Sequence, residues 1–403
     1  MSKVISPLRD LPVELQQAVF FELHDLLNLR SLALTCRALY LAYINAKVLI
    51  ENQVLRNEFR LGILPEAFAA LQSARLKAHT RPVVKRLVDT HFWIRKAPTQ
   101  QFASADIAEL SRLRRIIHRI AIDFAHDVFA IVPSRIRDDQ APLSDNELAR
   151  IQRTLYLFEI YHNLFPPAIR PPIDNQGQID LFFSKLAGWE LEQLACMHDY
   201  LARTMVPTYN EAISHHELWR GLEVEFHEVS SSGWIQFALS RGLSSFVQII
   251  NTTDLDARCS LLLRPGTSYP GHNGHLLIAH LYTSYLPFRA PPPDICPSGE
   301  PPRAMHTAFC DDGDDGPVRC WRWAHTGYDW AHYVNCHNQN KLRRLGYVMW
   351  DLDRINRWGL LEGEWSRLRP LFRKPVVNAA GRGRGLQEEL AQRVRERQGG
   401  GGS

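Results

Sequence analysis

His215-His216-Glu217-Leu218-Trp219-Arg220 stops one residue short of a zinc-protease helix. The pattern His-Glu-x-x-His sets two imidazoles on one helix face with a carboxylate beside them. Here the second imidazole would have to stand at position 220, and Arg220 stands there instead. Cys296, Cys310, Cys320, His325, His332, Cys336 and His337 supply metal-ligating atoms, but nine residues separate Cys310 from Cys320 and four separate Cys320 from His325. Structural zinc sites take their ligands in closer pairs, and no Cys-x-x-Cys occurs in the chain. These groups read as scattered thiols and imidazoles. The tract Asp311-Asp312-Gly313-Asp314-Asp315-Gly316 approaches a calcium loop. Gly313 takes a position that needs an oxygen ligand and Arg322 takes that of the bidentate glutamate, so a solvated loop is expected. No Gly-x-Ser-x-Gly elbow, P-loop or dinucleotide glycine fingerprint is present. No catalysis of its own, no cofactor and no metal are expected.

Six of the ten tryptophans lie late in the chain: Trp321, Trp323, Trp330, Trp350, Trp358 and Trp365. Leu345, Val348, Leu352 and Ile355 share one face at helical spacing, flanked by Met349. Such clusters serve first as core. Aromatics are also enriched at binding hot spots, so Trp321, Trp323 and Trp330, beside the acidic tract, are the candidates for contact with a target.

The elements that must carry these residues read as helices, because period-2 alternation is scarce. Helical patterning covers Leu11–Ile50, Lys47–Ala78, Val83–Trp93 and Ala105–Val132. Ser144 and Glu147 form a capping box that opens an amphipathic run, Leu148–Phe165. Further helices are expected over Asp180–Thr204, Asn210–Val229, Trp234–Ile250 and Gly274–Tyr285. Pro133–Pro142 and Pro166–Gln178 read as surface loops, and the proline-rich stretch 287–303 as a linker or long loop. No repeat of 20–50 residues occurs. The fold expected is all-α. Its divisions are 6–46, a helical region 47–286, the proline-rich linker, a tryptophan-rich helical region 304–377 and a mobile tail 378–403.

The segment from Leu11 to Tyr43, LPVELQQAVFFELHDLLNLRSLALTCRALYLAY, is dense in leucine. Pro12 suits a helix start, and Glu14 in the first turn complements the helix dipole. Leu15, Val19 and Leu23 recur at i, i+4 and i+8, with Phe20 beside them. Leu32, Cys36, Leu39, Tyr40 and Tyr43 repeat helical spacing on another helix. Three short helices of about 40 residues cannot bury that much apolar surface alone. The surplus must pack on the rest of the chain or on a partner.

Leu-Pro-x-Glu-Leu at 11–15, Val19-Phe20, Leu23, Leu29 and Leu34-Thr-Cys-Arg resemble the F-box, in the variant found in F-box-like proteins of filamentous fungi. Thr35 stands where the family often has Val, and Tyr40 where Trp is common. The resemblance covers about a tenth of the 403 residues, with an echo in RRLGYVMWDLDRINRWGLL from Arg343 to Leu361. It implies that Leu11, Pro12, Leu15, Val19, Leu23, Leu29, Cys36 and Tyr40 dock onto a Skp-type adaptor. Through that adaptor the chain would meet cullin and RING subunits, and the region after residue 47 would present a protein target for ubiquitin transfer. Two alternatives stand beside it: an F-box protein acting outside a ligase, and a helical enzyme or metal protein in which residues 11–46 are a plain hairpin.

The formal net charge of +4 over 403 residues provides no broad basic field, so nucleic acid and membrane surfaces are not expected partners. No apolar run nears the ~18 residues of a bilayer span. The first nine residues carry no signal-like apolar core, and seven irregularly spaced cysteines read as reduced thiols. A cytosolic or nuclear setting is therefore expected.

Overall fold

The computed structural model describes residues 8–59, 62–94, 98–132, 141–167, 171–215, 233–262, 277, 281, 312–324 and 341–362. The fold is all-α: sixteen α-helices and two short 3-10 turns occur among the described residues, with no strand. The chain divides into two compact units, residues 1–123 with 143–164, and residues 124–142 with 165–403.

The first unit opens with α1 (Val13–Phe21), α2 (Leu26–Ala33), α3 (Arg37–Asn45) and α4 (Lys47–Glu58). Phe20, Leu29, Ala33, Leu39, Ala42, Ile50 and Val54 form one core between them. The fourth helix belongs to this bundle although it begins at residue 47. Its Asn57 side chain donates to the carbonyls of Phe21 (2.6 Å) and Leu23 (2.9 Å), closing the end of α1. The leading segment is pinned by Gln16, whose buried amide donates to the carbonyls of Leu8, Arg9 and Leu11.

Next come α5 (Leu64–Ala74), α6 (Arg81–Ile94) and α7 (Ser104–Ile131), whose first part belongs to this unit, and then α8 (Asp145–Leu164). Gly62, at φ +73°, precedes α5, so the expected helical run over 47–78 is two helices. α5 lies along α8, each lined with buried residues: Ala67, Ala70 and Leu71 on one, Ile151, Leu155 and Phe158 on the other. The capping box forms as read. The Glu147 amide donates to Ser144 Oγ (3.1 Å), and the Ser144 amide donates to Glu147 Oε2 (3.0 Å).

In the second unit α9 (Asn175–Leu181) begins inside the stretch read as a loop, because the Asp174 carboxylate caps it by accepting the Gly177 amide at 2.8 Å. The long α10 (Gly188–His215) is the centre. It packs against α11 (Gly233–Leu239), α12 (Gly242–Asn251), α13 (Leu255–Leu262), α14 (Gly316–Ala324) and α15 (Lys341–Arg344). In place of the two helices expected over 180–204 and 210–229, residues 188–215 form one continuous helix with Pro207 inside it, and 216–229 lie outside the described residues. Gly242, at φ +83°, divides the run expected as a single helix over 234–250.

The face read through Leu345, Val348, Leu352 and Ile355 is not one helix. Gly346 adopts φ +57°, the chain turns through 345–350, and a new helix, α16 (Leu352–Arg357), begins. A left-handed residue ends a right-handed helix. The aromatics there do form core: Trp350 stacks on Phe124 and meets Phe129 and Trp358. Arg343 and Glu192, both wholly buried, pair at 2.7 and 3.1 Å. The helix expected over 274–285 (save Leu277 and Leu281, both buried), the loop at 133–140, the stretch 287–303 and the tail from 378 lie outside the described residues.

Candidate functional site

Each helix of the N-terminal bundle is apolar on more faces than its core requires. On α1 Gln16 and Phe20 turn inward, which leaves Leu15 half exposed (50%) and Val19 only half-buried. On α2 Leu29 and Ala33 are buried, while Leu27 and Leu34 face out, Leu34 at 63% exposure. On α3 Leu39 and Ala42 point in and Tyr40, Leu41 and Ile44 point out. Val48 and Leu49 add two more at the start of α4.

Ten large apolar side chains are exposed among the described residues. Nine of them lie between Val13 and Leu49; the tenth is Ile122. Scattered apolar residues are normal on a protein surface, but concentration of this kind on one small bundle marks an association surface.

The eight residues expected to dock are spread over three burial levels. Pro12, Leu15 and Tyr40 are exposed. Leu11, Val19, Leu23 and Cys36 are half-buried, with Leu23 and Cys36 packed against the bundle core, and Leu29 is inside that core. Seven exposed apolar positions on these helices lie beyond the docking candidates: Val13, Leu27, Leu34, Leu41, Ile44, Val48 and Leu49. Their signal was there, as apolar residues, four of them leucines, out of phase with the inner face of each helix.

One wall of the bundle also borders a groove of about 440 Å³ formed with the start of α7. Its carboxylate, Glu51, accepts from the Tyr43 hydroxyl and from Ser104 Oγ, each at 2.6 Å. Burial, with the Glu51 carboxylate next, pushes the Tyr43 phenol well above its ordinary value. The α7 entry is held by Asn52, whose side-chain amide exchanges two hydrogen bonds with the backbone of Phe102, at 2.7 and 3.0 Å.

No family model, curated protein or solved structure matches the chain.

Trp321 is 7% exposed, edge-on to Trp189 at 6.4 Å between ring centroids, and packs on the Gly188 backbone. Trp323 is half-buried, and Trp330 lies outside the described residues. Cys320 is buried, which pushes its thiol up to about 12, so it is no ready thiolate ligand. Among the described residues no three His, Cys, Asp or Glu side chains converge on a metal position; the remaining members of the cysteine–histidine cluster and His216–Arg220 lie outside them. In the acidic tract Asp314 is structural: its carboxylate accepts the amides of Gly316 (2.8 Å) and Leu352 (3.0 Å). Among the described residues no helix is long and apolar enough to cross a membrane.

Proposed function

We propose that residues 6–46 act as an F-box, and that the chain is the substrate-recognition subunit of an SCF-type ubiquitin ligase. This reading is carried by the concentration of nine exposed apolar side chains between Val13 and Leu49, seven of them on the helices whose residues resemble the family motif and two, Val48 and Leu49, at the start of α4. A surface of that kind is stable in water when something covers it. The Skp-type adaptor is the cover that the resemblance implies. It brings cullin and RING subunits, and the rest of the chain holds a protein target. The contribution on this reading is effective concentration and orientation, with no chemistry by the chain itself.

The test is co-expression with a Skp-type adaptor, wild type against a Pro12→Ala, Leu15→Asp double variant. Both positions are exposed in the free chain, so the variant should fold with unchanged circular dichroism. Exchanging a buried isobutyl group for a carboxylate at an interface costs about 3 kcal/mol or more, roughly a hundredfold in affinity. Co-purification of the wild type and its loss in the variant supports the reading, and cullin in the same eluate places the chain within a ligase. A folded wild type that captures no adaptor sinks it.

A further inference from the structure

The groove beside the bundle has a composition of its own. One wall is α2 with Tyr40 and Tyr43 of α3, and the other is the first three turns of α7, from Ser104 to Arg115. Leu29, Ala33 and Ile107 form a buried apolar floor. Leu27, Leu34 and Tyr40 are exposed lips, and Ala108 opposite is too small to close the gap. A space of about 440 Å³ is in the range of ligand-sized clefts. It holds one large side chain with a stretch of backbone, not a whole helix.

The charges at the rim point one way. Arg30 and Arg115 both line the groove and both are exposed; among the described residues neither has a carboxylate within ion-pair distance, and their charges reach only the buried Glu58 carboxylate (Arg115) and the Tyr43 phenol (Arg30). The single carboxylate in the lining, Glu51, is already engaged through both oxygens by Tyr43 and Ser104, and Lys47 lies 3.9 Å from one of them. The groove thus offers an apolar floor between two exposed guanidiniums that have no carboxylate at ion-pair distance, and no free acceptor of matching strength in its lining. Arginine forks suit carboxylates.

We propose that this groove binds a segment of a protein partner in which one bulky apolar side chain is flanked by carboxylates. The apolar side chain fills the floor, and the carboxylates on either side meet Arg30 and Arg115. Nucleic acid fits poorly, because its affinity grows with the number of phosphates neutralised and two cations around an apolar cleft neutralise few. The inference shares Leu29 and Tyr40 with the adaptor reading but does not depend on it. Ser104–Arg115 lies outside the F-box-like segment, and Leu15 does not line the groove.

The probe is a fluorescein-labelled ten-residue peptide with a Gly-Ser background and one Phe between two pairs of Glu, read by fluorescence polarisation against the full chain. Control peptides carry Lys in place of Glu, or Ala in place of Phe. Saturable binding of the acidic peptide is expected, weakening with added salt, and at least tenfold weaker for each control. The Arg30→Glu, Arg115→Glu variant should lose at least tenfold in affinity. Ala108→Trp, which fills the cleft from a helical position, should do the same, while Leu15→Asp should bind as wild type. Equal affinity for acidic and basic peptides, indifference to both groove variants, or no saturable binding overturns the proposal. So does a dimer that vanishes with Arg115→Glu while no peptide binds, because the occupant is then a second copy of this chain. Loss of adaptor through Leu15→Asp and loss of peptide through Arg115→Glu are separate readouts, so either reading can fail without the other.

Discussion

Leu15 and Gln16 are chain neighbours with opposite fates: the leucine faces water and the glutamine is 4% exposed. The inversion has a local cause, since Gln16 spends its amide on three carbonyls of the leading segment and so fixes the phase of α1. Hydropathy spacing grouped Leu15, Val19 and Leu23 on one face of the helix, but it carried no sign of whether that face met the core, water or a partner. Glu58, also 4% exposed, makes the same point on α4. Ser111 Oγ and the Arg114 guanidinium both donate to its Oε1 at 3.2 Å, and its Oε2 has no partner. Burial outweighs Arg114 and holds the carboxyl above its ordinary value. A carboxyl whose folded pKa is raised contributes stability that is full below its unfolded value and is lost as pH rises through the folded one. Above the ordinary glutamate value of roughly pH 4, Glu58→Gln should therefore flatten part of the fall in urea midpoint that the wild type shows on going up in pH. Parallel wild-type and variant curves would mean that Arg114 balances the burial after all.

At the level of elements, much of the architecture was legible. The capping box before α8 needed only Ser144, Glu147 and the amphipathic run after them, and both reciprocal hydrogen bonds form. Removing one arm isolates its worth. Ser144→Ala leaves the Glu147 amide without its acceptor and should cost about 1 kcal/mol in urea denaturation, whereas a change below about 0.3 kcal/mol would show that solvent replaces the hydroxyl without loss. What the pattern hid were the joints. Gly62, Gly242 and Gly346 look like ordinary glycines in helical runs, and their positive φ is what breaks the runs. At Gly346 the Phe124 ring lies against the position a Cβ would occupy, so the turn and the aromatic core specify each other. That contact joins residues more than two hundred positions apart in the chain, beyond the reach of local patterning. The docking candidates were legible as a segment but not as a surface, because facing in or out depended on how α4 closed the bundle.

Across the whole chain, the charge of +4 and the ordinary composition describe a protein with no strong field to steer partners or to hold copies apart. Among the described residues, its exposed large apolar side chains concentrate on the bundle of α1 to α4. Near-neutral charge and a concentrated apolar surface together favour self-association when the natural cover is absent. The chain expressed without a partner should therefore run heavier than 46.3 kDa in light scattering as concentration rises. Leu34→Gln, Leu41→Gln and Leu49→Gln together should restore the monomer mass. Each of these side chains is about half exposed or more, and exposed substitutions cost at most about 0.5 kcal/mol each. The triple variant should thus keep its helicity and melt within about 6 °C of the wild type. If it loses helicity or melts far lower, those leucines are covered in the native chain itself. The bundle would then have no free apolar face to offer an adaptor, and the groove beside Leu34 would lose its lip.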